Sequence, residues 1–219
     1  MSSESAQTRR VYRKRRRAEQ EAATRLAITE ATVKLHRTLG PARTTIQGIA
    51  AEAGVQRATV YRHFPDLESL FLSCSEHWAS LNPPPDATEW SGIPDPGKRL
   101  GQALTQLYTW YGWAEPMLTN VYRDAPLIPA SAQARENFVG YFDTLHAALM
   151  RGRRARGRAR VRTAAAIGHA LEFVTWRSLT REQGLETAEA VELMIALVTA
   201  AGSLTPPRRS AMEAGEALR

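Results

Sequence analysis

A chain of 219 residues in which 43% are hydrophobic carries enough apolar side chain to build a core, which excludes an intrinsically disordered protein. A formal net charge of +7 and a pI near 10.1 favour a polyanionic partner, either nucleic acid or an anionic membrane surface. The single cysteine, Cys74, excludes an internal disulfide framework, no run reaches the roughly 18 apolar residues of a membrane span, and the N-terminus lacks the apolar centre of a secretory leader, so a soluble, cytoplasmic protein is expected.

Residues 1–17 begin small and polar and end in a basic cluster that includes Arg13, Lys14, Arg15, Arg16 and Arg17. This stretch reads as a disordered arm, either solvated or lying along phosphates beside a reading helix. An amphipathic helix is expected from about Ala18 to Leu39, with Leu26, Ala27, Ala31, Leu35 and Leu39 near one face, and Gly40-Pro41 stops it. Thr44 reads as the next N-cap, with Gln47 three residues on completing a capping box. Ile46, Ile49, Ala50 and Ala53 then recur at helical spacing, and Gly54 supplies a left-handed residue that ends this short helix. The following segment, Gln56 to Phe64, puts Val60 and Phe64 inward and carries Arg57, Thr59, Tyr61, Arg62 and His63 on its other faces. Two short helices with a small residue at the crossing, a turn glycine and apolar anchors are the helix-turn-helix pattern, whose second helix enters the major groove. The plainer alternative is an ordinary helical hairpin.

Helix Leu67 to about Leu81 follows, with Asp66 as N-cap and Leu67, Leu70, Phe71 and Cys74 inward. Across this region the sequence TTIQGIAAEAGVQRATVYRHF and its flanks resemble the DNA-binding domain of the tetracycline-repressor (TetR) family of bacterial regulators. The resemblance rests on Thr44-Thr45, Ile49-Ala50, Ala53-Gly54-Val55 and Tyr61-Arg62-His63-Phe64 within a helical frame of some fifty residues. Two departures stand out: His36 lies where the family usually carries a core aromatic, and Leu67 replaces a common lysine. The resemblance implies DNA contacts from Thr44, Thr45, Gln56, Arg57, Ala58, Thr59, Tyr61, Arg62 and His63, within a motif from Thr45 to Phe64. Arg57, Thr59 and Arg62 are the expected base readers, and Tyr61, His63, Thr44 and Thr45 the expected phosphate contacts.

Residues 84–97 are rich in Pro and Gly and read as a loop. An aromatic-rich helical stretch from Leu100 breaks at Glu115-Pro116, a short helix runs from Pro116 to Asp124, and an amphipathic helix spans about Ala132 to Met150. Trp110, Tyr111, Trp113, Met117, Tyr122, Phe138 and Phe142 are either packed core or the walls of an apolar ligand cavity. Asn120, Arg123, Asp124, Glu115 and His146 are its candidate polar groups. The family resemblance favours the cavity, because such regulators commonly carry an effector site in this segment. The run RGRRARGRARVR, residues 151–162, reads as a solvated connector. A long helix is expected from Thr163 to about Glu182 and a last one from an N-cap at Thr187. The last helix is apolar on more than one face and wants a partner chain on one of them. Residues 169–179 are similar to the C-terminal dimerisation helix of actinobacterial-type TetR regulators, which implies an interface of Phe173, Trp176, Val191, Met194, Ile195 and Val198.

The expected fold is all-α with about nine helices. Residues 1–17 form the basic arm, 18–65 the helix-turn-helix domain, 66–203 a helical effector-binding and dimerisation domain, and 204–219 a disordered tail. The expected function is a homodimeric regulator, a repressor that binds a palindromic double-stranded operator and leaves it on binding a small apolar or aromatic effector. The alternative is an architectural nucleic-acid-binding protein without an effector. The five histidines show no metal-ligand spacing and neither G-x-S-x-G nor G-x-G-x-x-G occurs, so no enzyme, metal, cofactor or membrane partner is expected.

Overall fold

The computed structural model describes residues 2–128 and 132–204, except for the side chains of 2–6, 8–10 and 132–135. The expected C-terminal tail lies outside the described residues from 205 onward. Among the described residues every regular element is helical. In chain order these are α1 (Ser2–Thr38), α2 (Ile46–Glu52), α3 (Arg57–His63), α4 (Leu67–Leu81), α5 (Pro96–Asp124), α6 (Ala132–Met150), α7 (Gly157–Leu171), α8 (Phe173–Arg177) and α9 (Thr187–Ser203). Two compact units result. One is drawn from Met1–Asp86 and Gln106–Thr144, the other from Ala87–Thr105 and Leu145–Arg219, so α5 and α6 each contribute to both. No helix among the described residues is long and apolar enough to cross a membrane.

In the first unit, Ile28, Ala31, Ile49, Ala50, Val60, Phe64 and Leu70 form one closed core from α1 to α4, with Leu35, Ile46, Ala53 and Val55 packed against it. The apolar phase of α1 differs from the expected one. Leu26 and Leu39 are exposed, and the inward face carries Ile28, Thr29, Ala31, Thr32 and His36. Hydropathy misses Thr32 because its hydroxyl is polar, yet that hydroxyl donates to the Ile28 carbonyl at 2.8 Å and is satisfied without water. Helix α1 also starts well before Ala18. No Gly or Pro interrupts residues 2–38, and the basic stretch is made of good helix formers, so the helix continues where no apolar face exists to reveal it. At 37 residues it is roughly 55 Å long.

The turn chemistry of the motif is as expected at its glycine and shifted at its cap. Gly54 has φ 67°, Val55 N–H donates to Ala50 O at 2.9 Å and Gly54 N–H to Ala51 O at 3.3 Å, the paired bonds that close a helix C-terminus. The N-cap of α2 is Thr45, whose Oγ1 accepts from Gly48 N at 3.0 Å, not Thr44. The Thr44 hydroxyl instead donates to Gly40 O and holds the preceding turn. Asp66 caps α4 by accepting from Ser69 N at 2.7 Å.

Helix α5 runs through Pro116 rather than stopping there. Pro116 removes one intrahelical bond, a cost of about 3 kcal/mol. Tyr111 and Ala114 are buried on one side of it and Met117, Leu118 and Asn120 on the other, so packing holds both halves in one helix.

The second unit departs further from expectation. The single helix expected from Thr163 starts at Gly157, within the arginine run, and breaks at Glu172, whose backbone is extended (φ −72°, ψ 135°). That break lets Phe173 and Trp176 of α8 turn fully inward, each 1% exposed, before a π-helical turn at Ser178–Glu182. The arginines of 151–162 are more than a solvated connector. Arg153 donates to Leu149 O and Pro96 O, Arg151 to Ser91 O, and Arg162 to Ala201 O and Leu204 O at the end of α9. Guanidinium groups thus satisfy carbonyls at the C-terminal ends of α6 and α9, at Leu149, Ala201 and Leu204, and tie α6 and the segment after it to Ser91 and Pro96. Helix α9 is capped by Glu186, not Thr187, through a reciprocal box with Glu189.

Candidate nucleic-acid interface and apolar cavity

Helix α3 is short, and its orientation depends on its neighbours. Val60 and Phe64 anchor it in the head, while Gln56, Arg57, Ala58, Tyr61 and Arg62 are exposed together and Thr59 is half-buried. Arg25 of α1 locks the far end. Its Nη1 donates to His63 O at 2.7 Å and its guanidinium lies 4.0 Å from the Phe64 ring centre. No local pattern announces Arg25, since its partner is 38 residues away. His63 is half-buried with its Nε2 enclosed and unpartnered, which removes that nitrogen from the outward face. Thr45 is exposed beside the N-terminus of α2, and Thr44 is half-buried. Arg13, Lys14, Arg15, Arg16 and Arg17 are exposed on α1, where Arg15 and Arg17 pair with Glu19 and Glu21 at 2.8 and 3.3 Å.

Behind the head formed by α1 to α4, within the same unit, α1, α4, α5 and α6 line a partly open apolar cavity of about 470 Å³, within the range of small-molecule sites. Four expected wall residues line it: Trp110, Met117, Tyr122 and Phe138. Three do not. Tyr111 is wholly buried in the core, Trp113 is 57% exposed, and Phe142 packs edge-to-face with Phe138 and Tyr141 without reaching the lining. Aromatic content alone could not separate the faces of α5. Wall residues from α1 and α4, among them His36, Phe71, Cys74 and Trp78, were not expected, because they come from the segment assigned to DNA binding or its neighbour.

None of the expected polar groups lines the cavity. His146 lies in the other unit and contacts Ala164 O at 2.9 Å. Asn120, Arg123 and Asp124 form a latch to the end of α1 instead. Asn120 Nδ2 donates to His36 O at 3.1 Å and Arg37 O at 2.8 Å, and Arg123 Nη2 donates to Leu39 O at 2.9 Å. Asp124 accepts from Arg123 Nε at 2.7 Å and from Ala42 N at 3.0 Å. The Arg123 hydrogen bond, helped by the Ala42 N–H, holds the Asp124 carboxyl below its ordinary pKa. Gly40, at φ 95°, sits so close that a Cβ there would collide with Arg123 and Asp124. The latch therefore joins the cavity's helix α5 to the end of α1 and, through Ala42, to the turn that leads toward α2.

His36 and Cys74 meet on the cavity wall, with Nδ1 and Sγ 3.5 Å apart. Burial lowers the His36 pKa to about 4, partly opposed by the charge of Asp124, and pushes the Cys74 thiol up to about 12. Both are neutral near pH 7. No group of His, Cys, Asp and Glu suited to a metal ion occurs among the described residues.

The residues expected at a dimer interface lie mostly inside their own unit. Phe173, Trp176, Val191, Met194 and Val198 are 1–6% exposed because their own unit already covers them, and Ile195 is half-buried. The apolar side chains that α8 and α9 leave outside are Val174, Leu193 and Leu197, at 51%, 39% and 48%. Periodicity identifies a two-faced helix but not which face its own chain takes.

Residues 28–74 match the family model for bacterial regulatory proteins of the tetR family. No curated protein sequence matches the chain significantly. Among solved structures, a TetR-like transcriptional regulator from Rhodococcus sp. RHA1 is similar at 17% identity and TM-score 0.60, covering 83% of this chain and 97% of that one. A TetR-family regulator from Mesorhizobium loti MAFF303099 is similar at 21% identity and TM-score 0.60, with coverage of 84% and 96%. A third, from Streptomyces coelicolor, is similar at 16% identity and TM-score 0.60, covering 82% of each chain. At these identities the likeness is one of fold: an N-terminal helix-turn-helix head followed by a helical domain, as in TetR-like structures.

Proposed function

We propose that this chain is a homodimeric TetR-family repressor that grips a palindromic operator through α3 and releases it when an uncharged apolar ligand enters the cavity. The observation that carries the DNA-binding part is the outward face of α3, Gln56, Arg57, Ala58, Tyr61 and Arg62, on a head whose inner face is closed. Arg57 and Arg62, with Thr59 beside them, have the donors to read base edges, since Arg pairs bidentately with guanine. Tyr61, Thr45 and the basic N-terminal stretch of α1 suit phosphates and set register. The latch from Asn120, Arg123 and Asp124 supports the ligand-responsive part, because a change in α5 at the cavity wall is felt at the end of α1. The ligand can shift DNA affinity only by preferring the arrangement that binds DNA poorly. Exposed Val174, Leu193 and Leu197 support a dimer face, and two heads would then meet successive major grooves about 34–36 Å apart or a multiple of that.

The test is equilibrium binding to the chain's own upstream intergenic DNA and to random duplex at several salt concentrations. A regulator shows a large ratio between them. A steep salt slope with no preference would support the architectural alternative. In the same assay Arg57→Ala should cost about 1–3 kcal/mol and relax one base position per half-site, whereas a uniform loss over all sequences would make Arg57 a phosphate contact. Leu197→Asp should sediment as a monomer and lose operator affinity; a dimer after that change would overturn the proposed face.

A further inference from the structure

Followed from its C-terminal end, helix α1 lines the cavity at His36, enters the closed core of the head at Ala31 and Ile28, and meets the end of α3 at Arg25, which holds His63 O at 2.7 Å. Toward its N-terminus it then leaves the head. Residues 11–23 are all exposed, and the side-chain bonds they make stay within α1, from Arg15 to Glu19 and from Arg17 to Glu21. A helix without an apolar face gains nothing from packing, and one this short is marginal by itself. What its surface offers is positive charge. Arg13 and Lys14 have no carboxylate partner among the described residues, and the pairs made by Arg15 and Arg17 are exposed ones of small worth that a phosphate can displace.

The phase of the helix fixes the faces of this spur. Eighteen residues make about five turns, so Arg13, Lys14 and Arg17 stand on the same face of α1 as Ala31, Thr32 and Leu35, which are turned into the head. Arg15 and Arg16 instead align with Val33, half-buried, and Lys34, exposed. At about 1.5 Å per residue, Arg17 lies roughly 12 Å and Arg13 roughly 18 Å along the axis from Arg25. DNA seated on the outward face of α3 runs past the edge of the head there. The inward cations of the spur then meet its backbone about four to five base pairs beyond the end of α3, at about 3.4 Å per pair. Val11 and Tyr12 are the only large apolar side chains of residues 11–23, too few for the apolar face that a membrane-surface helix needs.

We infer that the N-terminal spur of α1 is a rigid phosphate rail, in which Arg13, Lys14 and Arg17 grip the DNA backbone outside the base pairs that α3 reads. The inference rests on the DNA-binding reading and adds to it a face, a reach and a rigid element. Phosphates carry no sequence, so the rail raises affinity for operator and for random duplex alike.

The experiment measures binding of the full chain to its own upstream intergenic DNA and to random duplex over a range of salt, for two double variants that each remove two charges. Lys14→Ala with Arg17→Ala should reduce the slope of log K against log[salt] by about 1.8 per bound protomer and weaken both duplexes by the same factor. Arg15→Ala with Arg16→Ala should change the slope by less than about half as much. Hydroxyl-radical cleavage of the intergenic DNA should show protected sugars beside those shielded by α3, lost in the first double and kept in the second. Ala22→Pro keeps every charge and suits a helix that begins at that residue, so it should lose the flanking protection while the head still binds. Equal slope changes in the two doubles, or flanking protection that survives Ala22→Pro, would make the stretch a flexible arm and overturn the rail while leaving α3 as the reader. An unchanged slope in the first double, with loss of binding to phosphatidylglycerol vesicles, would assign the spur to a membrane surface instead. Absence of wild-type binding to either duplex would remove the DNA-binding reading and the rail with it.

Discussion

Helices α1 and α4 take part in two kinds of packing within one unit. Toward α2 and α3 they close a core in which Ile28, Val60 and Leu70 are wholly buried and Phe64 is 2% exposed. A turn or two further along, their side chains His36, Phe71, Cys74 and Trp78 face a space of about 470 Å³. The first region resembles a close-packed interior, in which a small helix is held in one orientation. The second forgoes dispersion contacts and is open to an occupant. A helix of seven residues such as α3 needs the first kind of packing, because it has no length of its own to fix its direction. A ligand needs the second.

The contrast predicts unequal costs for the same substitution. Phe64→Ala should cost about 3–5 kcal/mol in urea unfolding, since it opens a cavity in a closed core and removes the ring under Arg25. Phe138→Ala, on a wall that already borders space, should cost about 1–2 kcal/mol. Equal losses at the two sites would erase the distinction.

A second difference lies in pH dependence. His36 has a folded pKa of about 4 against 6.5 when free, because burial disfavours its charged form. Between those values the unfolded chain binds a proton that the folded chain excludes. Its contribution is therefore complete above about pH 6.5 and is lost as pH falls toward 4, by about 3 kcal/mol. Replacement by phenylalanine should flatten that part of the stability profile; an unchanged acid limb in His36→Phe would place the sensitivity elsewhere.

The smallest effect concerns the latch between the two regions. Asp124→Asn keeps the size but weakens the bonds to Arg123 and Ala42, and should cost about 1–2 kcal/mol by thermal melting. Its DNA affinity should also respond less to ligand. A full response in this variant would show that α5 speaks to the head by another route.

Much of the head was legible in the sequence. Gly54, Asp66 and the anchors Val60 and Phe64 act through bonds or spacings within a few residues, and they sit where local rules put them. The cap at Thr45 rather than Thr44 is an error of one position between two equivalent side chains. A part of the cavity wall was legible as well, because Trp110, Met117, Tyr122 and Phe138 are large and apolar. The rest was not. His36 and Cys74 contact each other across 38 residues, and Asn120 reaches His36 O across 84. No periodicity encodes such pairs.

Alone, the sequence determined an all-helical chain, the helix-turn-helix with its outward arginines, and a C-terminal helix apolar on more than one face. Each follows from spacings of three or four residues within helices and from turn residues such as Gly54 between them. Only the tertiary structure decided that α5 passes through Pro116, that the expected interface residues Trp176 and Met194 are covered by their own unit, and that His36 faces a cavity. Those outcomes depend on which surface meets which, and packing free energy summed over distant segments overrides local preference.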